Sequence, residues 1–168
     1  MIERLAQLER HDLSEFRGTL PGPDGRYPFE RLPLFFDEPG RRAYLVRHGS
    51  APVGFALTRP LPDGATSIGA FFVVRALRRQ GAGLAAALEL LRRQAGAWAI
   101  AFQEENAGAA RFWRRVATAA VGSAWREERR PVPGRPELPP DTWLLLATSG
   151  RDVPHTAPDG EPAGPGAP

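Results

Sequence analysis

The sequence predicts an α+β fold with a mixed sheet, and three observations carry that reading. In the first third of the chain, two apolar runs rich in strand-forming residues flank a short turn, the pattern of an antiparallel hairpin. From about residue 66 the pattern changes to strand, helix, strand, helix, which calls for a crossover and hence a parallel neighbour. Before residue 150 two further runs, "VGSAWREERRPV" and "DTWLLLAT", read as a closing antiparallel pair. At 168 residues, 42% hydrophobic and 24% charged, the chain fits a globular domain of ordinary size over residues 1–149.

Ile2, Leu5, Leu8, Leu13 and Phe16 recur at helical spacing, so residues 2–17 should form an amphipathic helix. "GTLPGPDGRYPF" is a turn-rich loop, and "ERLPLFFDEPG" holds a short helical piece interrupted at Pro33 and closed by Pro39-Gly40. The hairpin pairs "AYLV" with "VGFALT" across "HGSAP"; "LPDGA" turns the chain again into the strand "TSIGAFFVV". A helix is expected over Gly83–Gln94, then the strand "WAIAF" and a short helix in "NAGAARFWRRV". Residues 150–168, rich in Pro and Gly and lacking hydrophobic period, read as a disordered tail.

Composition removes several functions. The chain has no cysteine, so disulfides, thiolate metal sites and a cysteine nucleophile are excluded, which agrees with a cytoplasmic setting. The three histidines, His11, His48 and His155, are scattered and suggest no metal cluster. All 22 basic residues are arginine and 19 acids nearly cancel them, leaving +3. The arginines are spread along the chain and not gathered with stacking aromatics, so nucleic acid is not an expected partner. No apolar run approaches the roughly 18 residues of a membrane span. The lysine-free usage rich in Ala, Arg, Gly and Pro is that of a high-GC bacterium.

The most informative stretch is "RRQGAG", Arg78 to Gly83, placed between a strand and an Ala/Leu-rich helix. Glycine at a helix start costs about 1 kcal/mol relative to alanine. One reading is an anion cradle: the first amides of a helix lack internal partners, the helix dipole adds positive potential, and glycine removes the Cβ that would keep a phosphate away. Arg78 and Arg79 would add charge-assisted contacts. The other reading is a helix start whose small residues pack against a neighbour. The run lacks the Lys-Ser/Thr of a P-loop and the spacing of a dinucleotide fingerprint.

Arg78-Arg79-Gln80-Gly81-Ala82-Gly83 resembles the pyrophosphate motif of the GCN5-related N-acetyltransferase (GNAT) family, Arg/Gln-x-x-Gly-x-Gly/Ala. The second motif of that family, a strand followed by Asn-x-x-Ala and an aromatic pair, is matched by "WAIAFQEENAGAARFWRRV", with Asn106 and Ala109 in register and Phe112-Trp113 after them. "VRHGSAPVGFALTR" is similar to the central hairpin, and the resemblance spans roughly residues 10–148. It implies a mostly antiparallel sheet with flanking helices and a V-shaped splay between "FFVV" and "WAIAF". It also implies acetyl-CoA as co-substrate, a small-molecule amine as acceptor, and room for a homodimer. The backbone of Phe72, Val73 and Val74 would pair with the pantetheine arm. The amides of Arg79 to Gly83, with the Arg78 side chain, would hold the pyrophosphate. Asn106 would contact the pantetheine region, and Phe112 and Trp113 would line the thioester end.

Two departures from the family pattern bear on chemistry. The tyrosine that often supplies the acid is replaced by Trp113, whose indole N–H is no acid near neutral pH. The glutamate that often serves as base is replaced by Ala70 in "GAFFV". Tyr27 and Glu30, in the loop expected to cover the acceptor site, are candidate substitutes; the competing readings are a packing lid and a helix-start residue. Family members usually begin with a strand, whereas this sequence opens on a helix. The resemblance thus implies an N-acetyltransferase; the alternatives are an acyl-CoA-binding protein with little transfer, or a related fold turned to other chemistry.

Overall fold

The computed structural model describes residues 1–132 and 139–149; the expected tail, 150–168, lies outside them. Helix α1 (Ile2–Arg17) opens the chain and presents Ile2, Leu5 and Ala6 as a buried stripe. The piece around Pro33 becomes a single turn, α2 (Leu34–Asp37), which starts behind that proline, a residue suited to a first helical turn. The hairpin is β1 (Arg42–His48) with β2 (Ala51–Pro60), and β3 (Thr66–Val73) follows. A short 3₁₀ turn, Arg75–Leu77, links β3 to the glycine element and was not foreseen from the sequence. Helix α3 (Ala82–Arg93), strand β4 (Gly96–Phe102), helix α4 (Ala107–Val121) and strands β5 (Trp125–Arg130) and β6 (Asp141–Thr148) complete the chain. α4 runs five residues past "NAGAARFWRRV". Its extension "ATAAV" contains three alanines, the best helix former, and Ala117 is fully buried.

The six strands are ordered β1-β2-β3-β4-β6-β5, antiparallel everywhere except the β3–β4 pair. One face carries α1, whose Ile2, Leu5 and Ala6 pack on Phe55, Leu57, Ala70 and Phe72. On the other face, Leu90 and Leu91 of α3 and Trp113 and Val116 of α4 pack on Ile68, Trp98, Ile100 and Leu144. Each such side chain, fully buried, contributes about 1.5–3 kcal/mol.

The middle of the sheet positions the site. Leu57 pairs with Ala70 but Thr58 pairs with Ile68, which leaves Gly69 as an extra residue in β3. Such a bulge bends its strand. β3 pairs with β4 only over Thr66–Ile68 against Trp98–Ile100, although both strands continue. Beyond the bulge β3 leans on β2 and leaves β4, opening the expected V. Gly54 of β2 permits this lean, since a Cβ there would fall 2.2 Å from the Phe72 carbonyl oxygen.

Candidate active site: the cleft between the first helix and the glycine turn

A cleft of about 700 Å³ lies over the open end of the V. β3 forms its floor, the glycine turn and α4 one wall, and α1 the other.

The glycine wall is made largely of backbone. Arg79 (φ 63°) and Gly81 (φ 85°) are both left-handed, and Arg79 is the one non-glycine residue of that kind among the described residues. Gly81 caps α3 in that conformation, which an L side chain adopts at a cost of about 1–2 kcal/mol. The first helical bond runs from the Ala85 amide to the Gly81 carbonyl at 2.9 Å. The amides of Ala82, Gly83 and Leu84 therefore lack helical acceptors and give this end of α3 its positive potential. Gly83 matters for packing as well: a Cβ there would sit 3.4 Å from the Phe112 ring. The packing reading of the glycines holds at Gly83, while Gly81 serves the backbone conformation of the turn. Asn106 caps α4, its Oδ1 accepting the Ala109 amide at 3.0 Å, and both residues border the cleft.

Two backbone assignments need correction. The Val74 amide donates to the Val53 carbonyl at 2.8 Å, and Phe72 turns its carbonyl toward Gly54. Both therefore face β2, and strand alternation directs the N–H and C=O of Phe71 and Val73 to the gap instead. The Gln80 side chain turns back on the 3₁₀ turn, its amide donating to the Ala76 carbonyl at 2.8 Å, which leaves only the backbone of Gln80 for the cradle.

Arg78 is held from two sides. Its Nε donates to the Val73 carbonyl at 2.8 Å, and its guanidinium pairs with Asp12 of α1. Arg75 donates to the same carboxylate, Nε to Oδ1 at 2.9 Å. Burial would raise the Asp12 carboxyl, but the bonds from Arg75 and Arg78 outweigh it and hold the group below its ordinary value.

Three rings close the inner end. Phe71 stacks on Phe112 at 5.6 Å between centroids and meets Trp113 edge-on at 5.3 Å; Phe112 and Trp113 lie 4.9 Å apart. Trp113 is 6% exposed. Phe71 borders the cleft as well, a place that strand alternation alone did not assign.

The structure does not bring Tyr27 or Glu30 to this cleft. The side chain of Gln7 holds the Tyr27 backbone on α1, accepting from its amide at 2.7 Å and donating to its carbonyl at 3.1 Å. The Tyr27 hydroxyl sits 3.3 Å from His11 Nδ1, and Glu30 is exposed. Ala70 points into the α1 cluster. Glu104 is bound by Arg114 at 2.6 Å and by Thr142 at 3.1 Å, away from the cleft.

What the sequence reading missed is Glu9. It is 7% exposed, it borders the cleft, and its Oε2 is sealed from solvent without a hydrogen-bond partner. The signal was available: a carboxylate continues the i, i+3, i+4 stripe begun by Ile2, Leu5 and Ala6, where an apolar residue belongs. Among the described residues no group of three His, Cys, Asp or Glu could hold a metal ion, and no helix is long and apolar enough to cross a membrane.

Residues 3–117 match the model of the Acetyltransferase (GNAT) family, and the chain belongs to that family. Solved structures agree at the level of the fold. An acetyltransferase from Thermus thermophilus superposes with a TM-score of 0.60 at 19% identity, covering 86% of this chain and 90% of that one. An acetyltransferase of the GNAT family from Staphylococcus aureus gives 0.52 at 12% identity, with 88% and 92% covered. The Bacillus subtilis acetyltransferase solved in complex with CoA gives 0.52 at 11% identity, with 71% and 85% covered. No curated protein sequence matches the chain.

Proposed function

We propose that the cleft binds acetyl-CoA and that the protein transfers its acetyl group to the amine of a small molecule. The observation that carries this reading is the opening of β3 from β4 directly beneath the left-handed glycine turn. An extended arm fits along the freed edge, where Phe71 offers its N–H and C=O and Val73 its N–H as a neighbouring strand would, the Val73 carbonyl being held by Arg78. The amides from Arg79 to Gly83 and the Arg78 guanidinium suit a pyrophosphate. Asn106 and Ala109 flank the arm, and Phe112 and Trp113 pack at its acyl end. Family membership and the CoA bound in the Bacillus subtilis relative support the same ligand.

A second reading keeps the ligand and drops the reaction: an acyl-CoA-binding protein that transfers poorly. The observation in its favour is that Ala70 and Trp113 carry neither usual proton-transfer group, while Tyr27 and Glu30 stand outside the cleft. Calorimetry with CoA and acetyl-CoA, together with CoA thiol release from acetyl-CoA in the presence of a panel of primary amines, separates the two. Binding with turnover is the expected result. Binding without turnover on any amine would favour the second reading, and no heat with either nucleotide would end both.

A further inference from the structure

We propose that Glu9 of α1 is the proton acceptor for the incoming amine, a role that rests on the reading that the cleft carries out acyl transfer. Glu9 occupies a core position of α1, between a stripe of apolar residues packed on Phe55, Leu57, Ala70 and Phe72 and the open cleft. A carboxyl group in such a place needs hydrogen bonds, because leaving a buried polar group unpaired is destabilising. Glu9 has little of that support. Its Oε2 is without a hydrogen bond, and the nearest cation, Arg10 Nε at 3.4 Å, is likewise without one. The neighbouring carboxylate, Asp12, shows what a structural partner looks like: it is bonded by two arginines.

The surroundings fix how the group behaves. Burial raises the Glu9 carboxyl above its ordinary value, against the pull of Arg10 and Arg17 and with a small push from Asp12. On its own helix it shares the cleft wall with Asp12 and Glu15; across the cleft stand Arg75 and Arg78 of the turn and Arg111 and Arg115 of α4. From β2 and β3, Phe55, Leu57, Ala70 and Phe72 pack in the cluster that the α1 stripe completes. A general base works best with a pKa near the operating pH, and a glutamate moved upward by burial approaches that condition.

In the transfer step, the neutral amine nitrogen attacks the thioester carbonyl carbon, and the new C–N bond forms as the C–S bond breaks. The electron pair of that bond leaves on sulfur. The proton shed by nitrogen passes to the Glu9 carboxylate and then to solvent. The sulfur needs no dedicated acid, since a thiol of this kind has a pKa of about 8.5. This accounts for a transferase site in which Trp113 stands where the family often has a tyrosine.

The test compares wild type with Glu9→Gln and Glu9→Asp by three measurements. The first is calorimetry with CoA, which should be unchanged because Glu9 lies on the opposite wall. The second is the melting temperature between about pH 5 and pH 9. A carboxyl raised in the folded state contributes stability below its unfolded pKa, about 4.3, and loses it as pH rises through the folded pKa. Glu9→Gln should therefore melt higher than wild type on the alkaline side, with the gap closing toward pH 5. The third is thiol release from acetyl-CoA with a polyamine, an aminoglycoside, an arylamine and a peptide N-terminus as probes. For any amine that wild type accepts, Glu9→Gln should lower kcat by about a hundredfold or more and remove the acidic limb of the pH profile, and Glu9→Asp should restore part of both. Unchanged kcat and limb in Glu9→Gln, or melting curves parallel at every pH, would overturn the proposal while leaving CoA binding intact. Absence of CoA binding, or of turnover by wild type on every probe, would instead remove the transferase reading, and the role of Glu9 with it.

Discussion

The two walls of the cleft present polar groups by different means. The glycine wall presents backbone amides at a helix start, and its conformation is set by residues with positive φ, Arg79 and Gly81. The α1 wall presents side chains alone, Glu9, Asp12 and Glu15, on a regular helix whose geometry any sequence could share. Backbone donors cannot be mutated away but can be blocked or displaced. Side-chain groups can be removed singly, and each then reports its own contribution. The difference teaches where variation is tolerated: the wall made of backbone restricts a few consecutive positions, while the wall made of side chains can be rewritten one residue at a time.

The largest effect is expected where the two walls meet the core. Trp113→Ala should cost about 3–5 kcal/mol of stability by chemical denaturation, because a nearly buried indole leaves a cavity between Phe71 and Phe112. Trp113→Phe should retain most stability and activity, since the ring acts through packing. On the glycine wall, Arg78→Ala should weaken CoA by about 1.5–3 kcal/mol in calorimetry, the worth of hydrogen bonds to a charged group. Gly81→Val should weaken it by about tenfold or more, because the φ of 85° is then strained and the cradle shifts. Equal CoA affinity in wild type and Gly81→Val would break the distinction between the walls.

Asp12 ties the walls together, and its effect should be smaller. Its carboxyl is held below its ordinary value, so its contribution is present above the unfolded pKa of about 3.9 and is lost as pH falls through the folded value. Asp12→Asn should thus lower the melting temperature at neutral pH, with the difference shrinking in acid. A gap that widens on acidification would contradict this. The smallest effect belongs to Arg114, which bridges Glu104 at 2.6 Å and Glu127 at 2.7 Å on the surface. Arg114→Ala should change stability by about 1 kcal/mol or less and leave CoA binding alone.

Sequence reasoning reached the glycine wall because a site made of backbone must spell itself in consecutive residues. Arg78 to Gly83 and Asn106 with Ala109 stand at fixed offsets, and the strands and helices around them follow from period and turn residues. The β3 bulge was not legible. It depends on Gly54 and Gly69 facing the right neighbours, and only tertiary packing says which glycine marks a close approach. The α1 wall was legible only as a helix. Tyr27 and Glu30 were expected from a loop that the resemblance puts over the acceptor site, yet Gln7 anchors the Tyr27 backbone to α1 and neither residue borders the cleft. Glu9 was passed over because the stripe was counted by its apolar members, when the exception was the informative position.

The separation of β3 from β4 has a consequence for motion. Past Ile68 the β3 edge facing the gap has no strand to bond with, so the amides of Phe71 and Val73 should exchange with solvent deuterium far faster than those of Phe55 or Ile100. A ligand that lies along this edge takes the place of the missing strand. Filling the site with CoA should slow those two amides selectively and raise the melting temperature with ligand concentration, the ligand then serving the central sheet as its missing strand.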